Sequence, residues 1–206
     1  MTLTRIAAAL VVFGISAMAA QPPLPELRVE PTGGGSILYV KNVSNQPLTA
    51  FLIELVDYPG SSFAHSEDLI GADAIAPGAE KRFPVTSMTV GAVPEYVKVR
   101  AAIYADGSSA GLPEKIAQLV ERRRVRLQTT RELIRRLQKA RDAGTSKPEL
   151  LADLKQLTES MRRPTDGVAT MLIANAAHRL ETETLDNVLT RLEDSERALA
   201  QSKPAL

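Results

Sequence analysis

A Gly-x-Ser-x-Gly pattern at residues 107–111 is the most specific chemical motif in the sequence. In α/β-hydrolases this pattern holds a nucleophilic serine on a tight turn between a strand and a helix. Ser109 would be the nucleophile, and the chain order allows Asp153 or Asp166 as the acid and His178 as the base. That fold needs strands and helices that alternate, and the sequence shows no such alternation. We therefore expect a Gly/Ser linker here and no enzymatic activity, with a serine hydrolase as an alternative.

Carboxylates in the predicted loops are candidate calcium ligands, because calcium takes oxygen donors. These residues are Asp57, Glu67, Asp68, Asp73 and Asp106. Their spacing does not match an EF-hand loop, so we expect turn residues. The chain has no Cys and two His, which excludes a thiolate zinc site and a multi-histidine site. We expect no metal and no other cofactor.

A basic run is the main candidate for binding an anionic surface. Residues 114–141 hold ten Lys or Arg and three Asp or Glu, and Arg122, Arg123 and Arg126 are the tentative partner-binding residues. Such a face can bind anionic lipid, an acidic protein or nucleic acid. No aromatic side chain is nearby for base stacking, so we expect no nucleic acid. The alternative is a solvated face that is neutralised by Glu181, Glu183 and their neighbours.

The N-terminus has the order of a secretory signal, with Arg5, an apolar run over residues 6–16 and the small residues Ala17 and Ala19. The apolar stretch of residues 6–20 would form a helix of about 22 Å, whereas a bilayer core needs about 30 Å. We therefore predict a signal peptide over residues 1–19, cleaved after Ala19. The mature chain is expected to be periplasmic or secreted.

The composition of the chain changes near residue 111. All aromatic residues of the mature chain lie before residue 105, and Leu, Arg, Glu and Ala dominate after residue 112. Aromatic and β-branched residues suit strands, whereas unbranched residues suit helices. We predict an α+β protein in two parts. Residues 20–111 would form an antiparallel β-sandwich, and residues 112–206 a helical hairpin or three-helix bundle.

Strands are predicted at residues 36–41, 49–58, 81–86 and 96–104, with Asn-, Pro- and Gly-rich turns between them. In the last of these strands Val97, Val99, Ala101 and Ile103 occupy alternate positions. This alternation predicts a sheet with one covered face.

Four short segments carry a family resemblance. They are Val-Lys-Asn-Val-Ser at 40–44, Pro-Leu-Thr-Ala at 47–50, Ala-Pro-Gly at 76–78 and Ile-Tyr-Ala-Asp-Gly at 103–107. Together they resemble uncharacterised exported bacterial proteins that contain an immunoglobulin-like or fibronectin-III-like sandwich. The resemblance implies that fold for residues 27–111 and a location in the cell envelope. It implies no activity and no site residue.

Three helices are predicted in the second part. The first covers residues 114–142 and is ended by Gly144. The second begins at Ser146, which with Glu149 has the spacing of a capping box. The third covers residues 166–200.

The three predicted helices are unequal, at about 43, 22 and 52 Å, so a straight third helix would extend beyond the first by roughly 30 Å. Its protruding part carries Leu185, Val188, Leu189, Leu192 and Leu199. An apolar stripe of this size is unstable in water. We expect a protein partner or a second copy to cover it. The alternatives are a break near residues 182–184 that folds the stripe back, and a frayed tail.

These observations predict a non-enzymatic exported module for protein interaction or structure, which binds a partner or itself through its C-terminal helices. The alternative is an adaptor that applies Arg122, Arg123 and Arg126 to anionic groups of the envelope surface.

Overall fold

The computed structural model describes residues 21–56, 63–86, 96–161 and 167–205. The predicted signal peptide, Asp57 and Asp166 lie outside these residues. Within them, two antiparallel sheets precede four helices, which confirms the α+β class in two parts. No helix in the described ranges is long and apolar enough to cross a membrane.

The strands and helices follow one another with little mixing. The strands are β1 (Glu26–Thr32), β2 (Gly35–Lys41), β3 (Leu48–Leu55), β4 (Ala64–Asp68), β5 (Glu80–Val85), β6 (Val97–Tyr104) and β7 (Ser109–Gly111). The helices are α1 (Pro113–Asp142), α2 (Lys147–Ser160), α3 (Gly167–Thr182) and α4 (Leu185–Ala200). One sheet has the order β1-β2-β5, and the other has the order β4-β3-β6-β7.

The two sheets share one apolar core. Leu38 and Phe83 reach it from the three-stranded sheet, and Phe51, Ile53 and Tyr104 reach it from the four-stranded sheet. Phe51 and Phe83 meet edge to face, with ring centroids 5.1 Å apart. This contact across the sheets is a geometry that aromatic pairs favour.

The four-stranded sheet is covered on both faces, so the expectation of one covered face is wrong for this sheet. Its second face is apolar at Ala50, Leu52, Ala101 and Ile103, and Leu119 of α1 packs directly against them. Strand β3 is consequently buried along most of its length. The sandwich and the helices therefore share a packed interface.

A β-bulge in β6 corrects the predicted alternation. Val97 and Val99 pack on the core between the sheets, whereas Ala101 and Ile103 lie on the face toward α1. The pairing passes from Ile53–Val99 to Leu52–Ala101, so Arg100 is an extra residue in β6. One extra residue moves every later side chain to the opposite face.

Helix α1 has 30 residues and enters two cores. Its first half packs on the four-stranded sheet, and Leu133 and Leu137 in its second half pack against α2, α3 and α4. Gly144 follows the helix with φ +64°, the left-handed conformation that ends many helices.

The capping box at the start of α2 is confirmed. The Glu149 carboxylate accepts hydrogen bonds from the Ser146 backbone N–H at 3.0 Å and from its hydroxyl at 2.7 Å. Both bonds favour the charged form and lower the pKa of Glu149.

The predicted third helix is two helices, α3 and α4. The Thr184 hydroxyl caps α4 by accepting from the Asn187 N–H at 3.3 Å. Helix α4 then runs back along α1, and Val188 and Leu189 are buried between them. The expected protruding helix is therefore wrong, and the break near residues 182–184 is what occurs.

Candidate functional site

The Gly-x-Ser-x-Gly segment forms a β-hairpin, so the linker prediction is wrong. Ser109 opens β7 and pairs with Ile103 of β6. Gly111 has φ +105°, and a Cβ atom there would lie 2.1 Å from the Arg100 carbonyl oxygen. Gly107 therefore permits the tight turn, and Gly111 permits the close strand pairing. The segment lacks the strand–turn–helix form that exposes a hydrolase serine.

The other triad candidates have partners of their own. His178 is exposed on α3, with its Nδ1 atom 3.1 Å from Glu181 Oε2. Asp153 on α2 accepts from Arg136 of α1 at 3.3 Å. Neither residue pairs with Ser109 within the described part of the chain.

The four candidate calcium ligands that can be placed have separate local partners. Asp106 Oδ1 accepts from the Ser108 N–H at 2.9 Å and from its hydroxyl at 2.6 Å, and these bonds lower the pKa of Asp106. Glu67 Oε1 lies 3.1 Å from His65 Nε2, and Asp73 pairs with a lysine at 3.3 Å. The fourth, Asp68, binds arginine. Among the described residues no three His, Asp or Glu side chains form a metal-binding group.

Arg123 is the centre of the interface between sandwich and helices, and its side chain is 1% exposed. Its Nε donates to Asp68 Oδ1 at 2.9 Å, and one terminal nitrogen donates to the Thr49 carbonyl at 3.2 Å. The other terminal nitrogen donates to the Lys203 carbonyl at 2.7 Å. We call Arg123, Asp68, Thr49 and Lys203 the Arg123 cluster.

The Arg123 cluster joins α1 to β4, to β3 and to the segment that follows α4. A buried guanidinium needs a countercharge and hydrogen-bond acceptors, since its desolvation is unfavourable by several kcal/mol. The cluster supplies both. Arg123 therefore holds the two parts together and does not offer a binding surface, which corrects its prediction as a partner-binding residue.

The rest of the basic face on α1 is largely neutralised by other elements. Arg126 lies 3.5 Å from the Asp68 carboxylate, and Arg131 pairs with Glu196 of α4 at 2.8 Å. Arg136 pairs with Asp153 of α2 at 3.3 Å. The acidic partners therefore differ from the predicted Glu181 and Glu183. Glu181 Oε2 lies 3.1 Å from His178 Nδ1, and Glu183 pairs with Arg179 and Arg191.

Arg122 differs from these arginines. It is half-buried, and no carboxylate pairs with it among the residues that the structure describes. It lines two clefts beside β4. Of the three predicted arginines, it is the one left for a partner.

The four predicted apolar contact residues of α4 all pack within the chain. Val188 and Leu189 are buried, and Leu185 and Leu192 are partly buried against the same helical core. The structure therefore does not present them as one exposed stripe. Because their apolar area is already used, a binding surface has to be sought elsewhere.

A groove of about 440 Å³ runs between β4 and α1. It exists because Ala64 and Ser66 are small and leave space above Leu52 of β3. Its other lining residues are Gln118, Leu119, Glu121, Arg122, Val125 and Val168. We call this cavity the β4 groove; its walls are mainly apolar and Arg122 supplies a cation.

A second cleft of about 380 Å³ shares Arg122 and Val168 with the β4 groove. Met171 of α3 lines it and is 46% exposed, which is large for an apolar side chain. The shared residues make the two cavities neighbours along one side of the molecule. A polypeptide could contact both.

Comparison of the chain with protein-family models, with curated proteins and with solved structures found no match.

Sequence reasoning missed the Arg123 cluster and the β4 groove. A signal for the first was present, because Leu119, Arg123 and Leu127 are spaced four residues apart in an apolar stripe. A charged residue in such a stripe predicts a buried partner. No comparable signal identified β4, whose polar sequence is typical of a loop.

Proposed function

We propose that this chain is a non-enzymatic, exported protein-interaction module that binds its partner at the β4 groove. The observation that carries the proposal is a cavity of about 440 Å³ with mainly apolar walls, lined also by Arg122, which has no carboxylate partner among the described residues. Binding sites are commonly concave and mostly apolar, with few polar groups to orient the ligand. The immunoglobulin-like resemblance and the signal-like N-terminus support the same proposal.

The Arg123 cluster supports it further by making the groove rigid. The groove lies between two parts of the chain, and these parts are joined by three part-buried hydrogen bonds from the Arg123 guanidinium to Asp68 and Thr49. A preformed site avoids the entropy cost of ordering its walls when the partner binds. The groove can therefore act without rearrangement of the two parts.

Site-specific photo-crosslinking tests the proposal. A benzophenone amino acid replaces Gln118, which is exposed and lines the groove, and the protein is illuminated in a native envelope extract. We expect an adduct of one defined mass, which excess unlabelled protein suppresses. The Ala64→Trp variant should lose the adduct, because Trp fills the groove from an exposed position.

The matched control carries the same amino acid at Gln156, which is exposed on α2. We expect no adduct from that position. Equal crosslinking from both positions, or an adduct that persists in Ala64→Trp, would contradict binding at the groove.

The envelope-surface adaptor is a second candidate, supported by a cleft of about 520 Å³ near the end of α1. Arg135, Arg136 and Lys139 line it, and Lys139 has no carboxylate partner among the described residues. On this hypothesis Lys139→Glu reduces salt-sensitive binding to phosphatidylglycerol vesicles, and Lys155→Glu on α2 does not. Equal retention of both variants and the parent protein would remove the adaptor hypothesis.

A further inference from the structure

We propose that β4 binds an extended peptide segment of the partner protein as an added strand beside the β4 groove. This inference rests on the proposed function and specifies the chemistry of its partner. Main-chain groups of β4 would give the affinity, and the groove would select the side chains of the peptide.

The hydrogen-bond register shows which groups of β4 are open. The Leu69 N–H donates to the Thr49 carbonyl at 2.7 Å, and the Leu55 N–H donates to the Phe63 carbonyl at 3.0 Å. In an antiparallel pair, bonded positions recur at every second residue. On β4 residues 63, 65, 67 and 69 therefore face β3, and residues 64 and 66 face away from it.

The outward main-chain groups of β4 differ in their hydrogen bonding. Arg126 donates to the Asp68 carbonyl at 3.0 Å, which is the outward direction expected from this register. Within the described part of the chain, no hydrogen bond reaches the outward N–H or carbonyl groups of Ala64 and Ser66. Unpaired groups on an edge strand are a template for another extended chain.

Among the strands that the structure describes, the other three sheet edges are protected, which makes β4 the exception. Proline lies within β1 at Pro31 and within β5 at Pro84. A proline in an edge strand removes an outward N–H and blocks strand addition. Strand β7 has three residues and offers little length for pairing. Strand β4 has five residues and no proline.

The groove predicts the side chains of the bound peptide. Ala64 and Ser66 lie on the face of β4 toward α1, so alternate side chains of an added strand would enter the groove. Its apolar walls favour Val or a similar residue at these positions. Arg122 favours one acidic residue on the same side. The expected occupant is a segment with alternating apolar residues that ends in an acid.

An end-blocked peptide, Thr-Val-Thr-Val-Thr-Glu, is the probe, and it is added to the mature full chain. We expect hydrogen exchange of the Ala64 and Ser66 amides to slow at least about tenfold when peptide binds, since these amides gain acceptors. The His65 and Glu67 amides already face β3 and serve as internal controls. This alternating pattern distinguishes strand addition from other binding modes.

Two substitutions at one position separate the main chain from the side chain. Ser66→Pro removes an outward N–H and leaves the pairing of β4 with β3 intact, so we expect peptide affinity to fall about tenfold. Ser66→Ala retains the N–H and should bind within about twofold of wild type. Circular dichroism and the protection of the Glu67 amide check that Ser66→Pro remains folded.

Several results would overturn the inference. They are a Kd for the probe weaker than about 1 mM, unchanged exchange at Ala64 and Ser66, equal binding by Ser66→Pro, or equal binding of a peptide N-methylated at its Val residues. A dimer of the free chain that Ser66→Pro abolishes would identify a second copy as the occupant and would also overturn it. If the Gln118 adduct forms normally in Ser66→Pro, the groove function stands and strand addition fails.

Discussion

At the scale of single residues, Arg123 has the strongest structural consequences. It occupies a core position of α1, yet its five N–H groups need acceptors that no apolar neighbour provides. Asp68, Thr49 and Lys203 supply those acceptors from three separate parts of the chain. Lysine could not replace it, because a single ammonium group cannot reach three acceptors in a fixed plane.

Removal of the Arg123 guanidinium should therefore destabilise the protein strongly. In Arg123→Met the Asp68 carboxylate, 6% exposed, loses its closest countercharge. Breaking a buried ion pair from one side costs about 3–5 kcal/mol. We expect a fall of this size in the free energy of unfolding, measured by urea titration.

Arg131→Met on the same helix is the matched control. Arg131 is 57% exposed and pairs with Glu196 at the surface. Exposed pairs contribute at most about 1 kcal/mol, so this variant should remain within that range of wild type. If Arg123→Met were no less stable than Arg131→Met, the cluster would not be what joins the two parts.

Tyr104 makes the free energy of unfolding sensitive to pH in the alkaline range. Burial raises its pKa to about 12, and its hydroxyl donates to the Pro23 carbonyl. In the unfolded chain the group loses its proton near pH 10. The contribution of Tyr104 to the free energy of unfolding is therefore constant below about pH 10. It declines between about pH 10 and pH 12, by up to about 3 kcal/mol.

Comparison with Tyr104→Phe isolates this contribution. The variant lacks the ionisable hydroxyl, so its unfolding free energy should decline less steeply between about pH 10 and pH 12. When tyrosinate absorbance of the folded protein is followed against pH, the variant should also lack the component that titrates at the highest pH. Parallel pH profiles for the two proteins would show that Tyr104 ionises as it does in water.

At the scale of elements, helices were easier to predict from sequence than strands. The apolar spacing and Gly144 located α1 to within one residue at its start, and Ser146 with Glu149 located the start of α2. These signals are local. The bulge at Arg100 depends on pairing with β3, and the polar strand β4 depends on neighbours distant in sequence. Neither can be read from alternation within one segment.

The division between α3 and α4 illustrates the same limit. Thr184 is a good N-cap residue, so the sequence allowed a break there. Whether the apolar stripe then met α1 or another molecule depended on the tertiary fold. The uneven helix lengths could not decide between these alternatives, because both cover the stripe.

Leu189 tests the folded-back arrangement. It is 2% exposed and packs between α4 and α1, so Leu189→Ala should cost about 2–5 kcal/mol of stability. Its sedimentation mass should equal that of wild type. The neighbouring exposed substitution Thr190→Ala should change stability by less than about 0.5 kcal/mol. A smaller mass for Leu189→Ala with unchanged stability would instead indicate an interface between copies.

At the scale of the whole molecule, α1 and the Arg123 cluster couple the two parts. The helix contributes Leu119 to the interface with the sheet and Leu133 to the helical core. The segment after α4 returns to the interface through Lys203. The sandwich and the helices are therefore packed against each other, and both contribute walls to the β4 groove.

This coupling predicts one unfolding transition for wild type and two for Arg123→Met. Tyrosine fluorescence reports only the sandwich, because all four Tyr precede residue 105, whereas far-ultraviolet circular dichroism is dominated by the helices. In wild type both signals should give the same urea midpoint, as expected for cooperative unfolding. Without the guanidinium, Leu119 and its neighbours hold the interface alone, so the two midpoints should separate. Arg131→Met should keep them together. Separate midpoints in wild type would show that the sandwich and the helices fold independently, and the groove between them would then be a poor candidate for a rigid binding site.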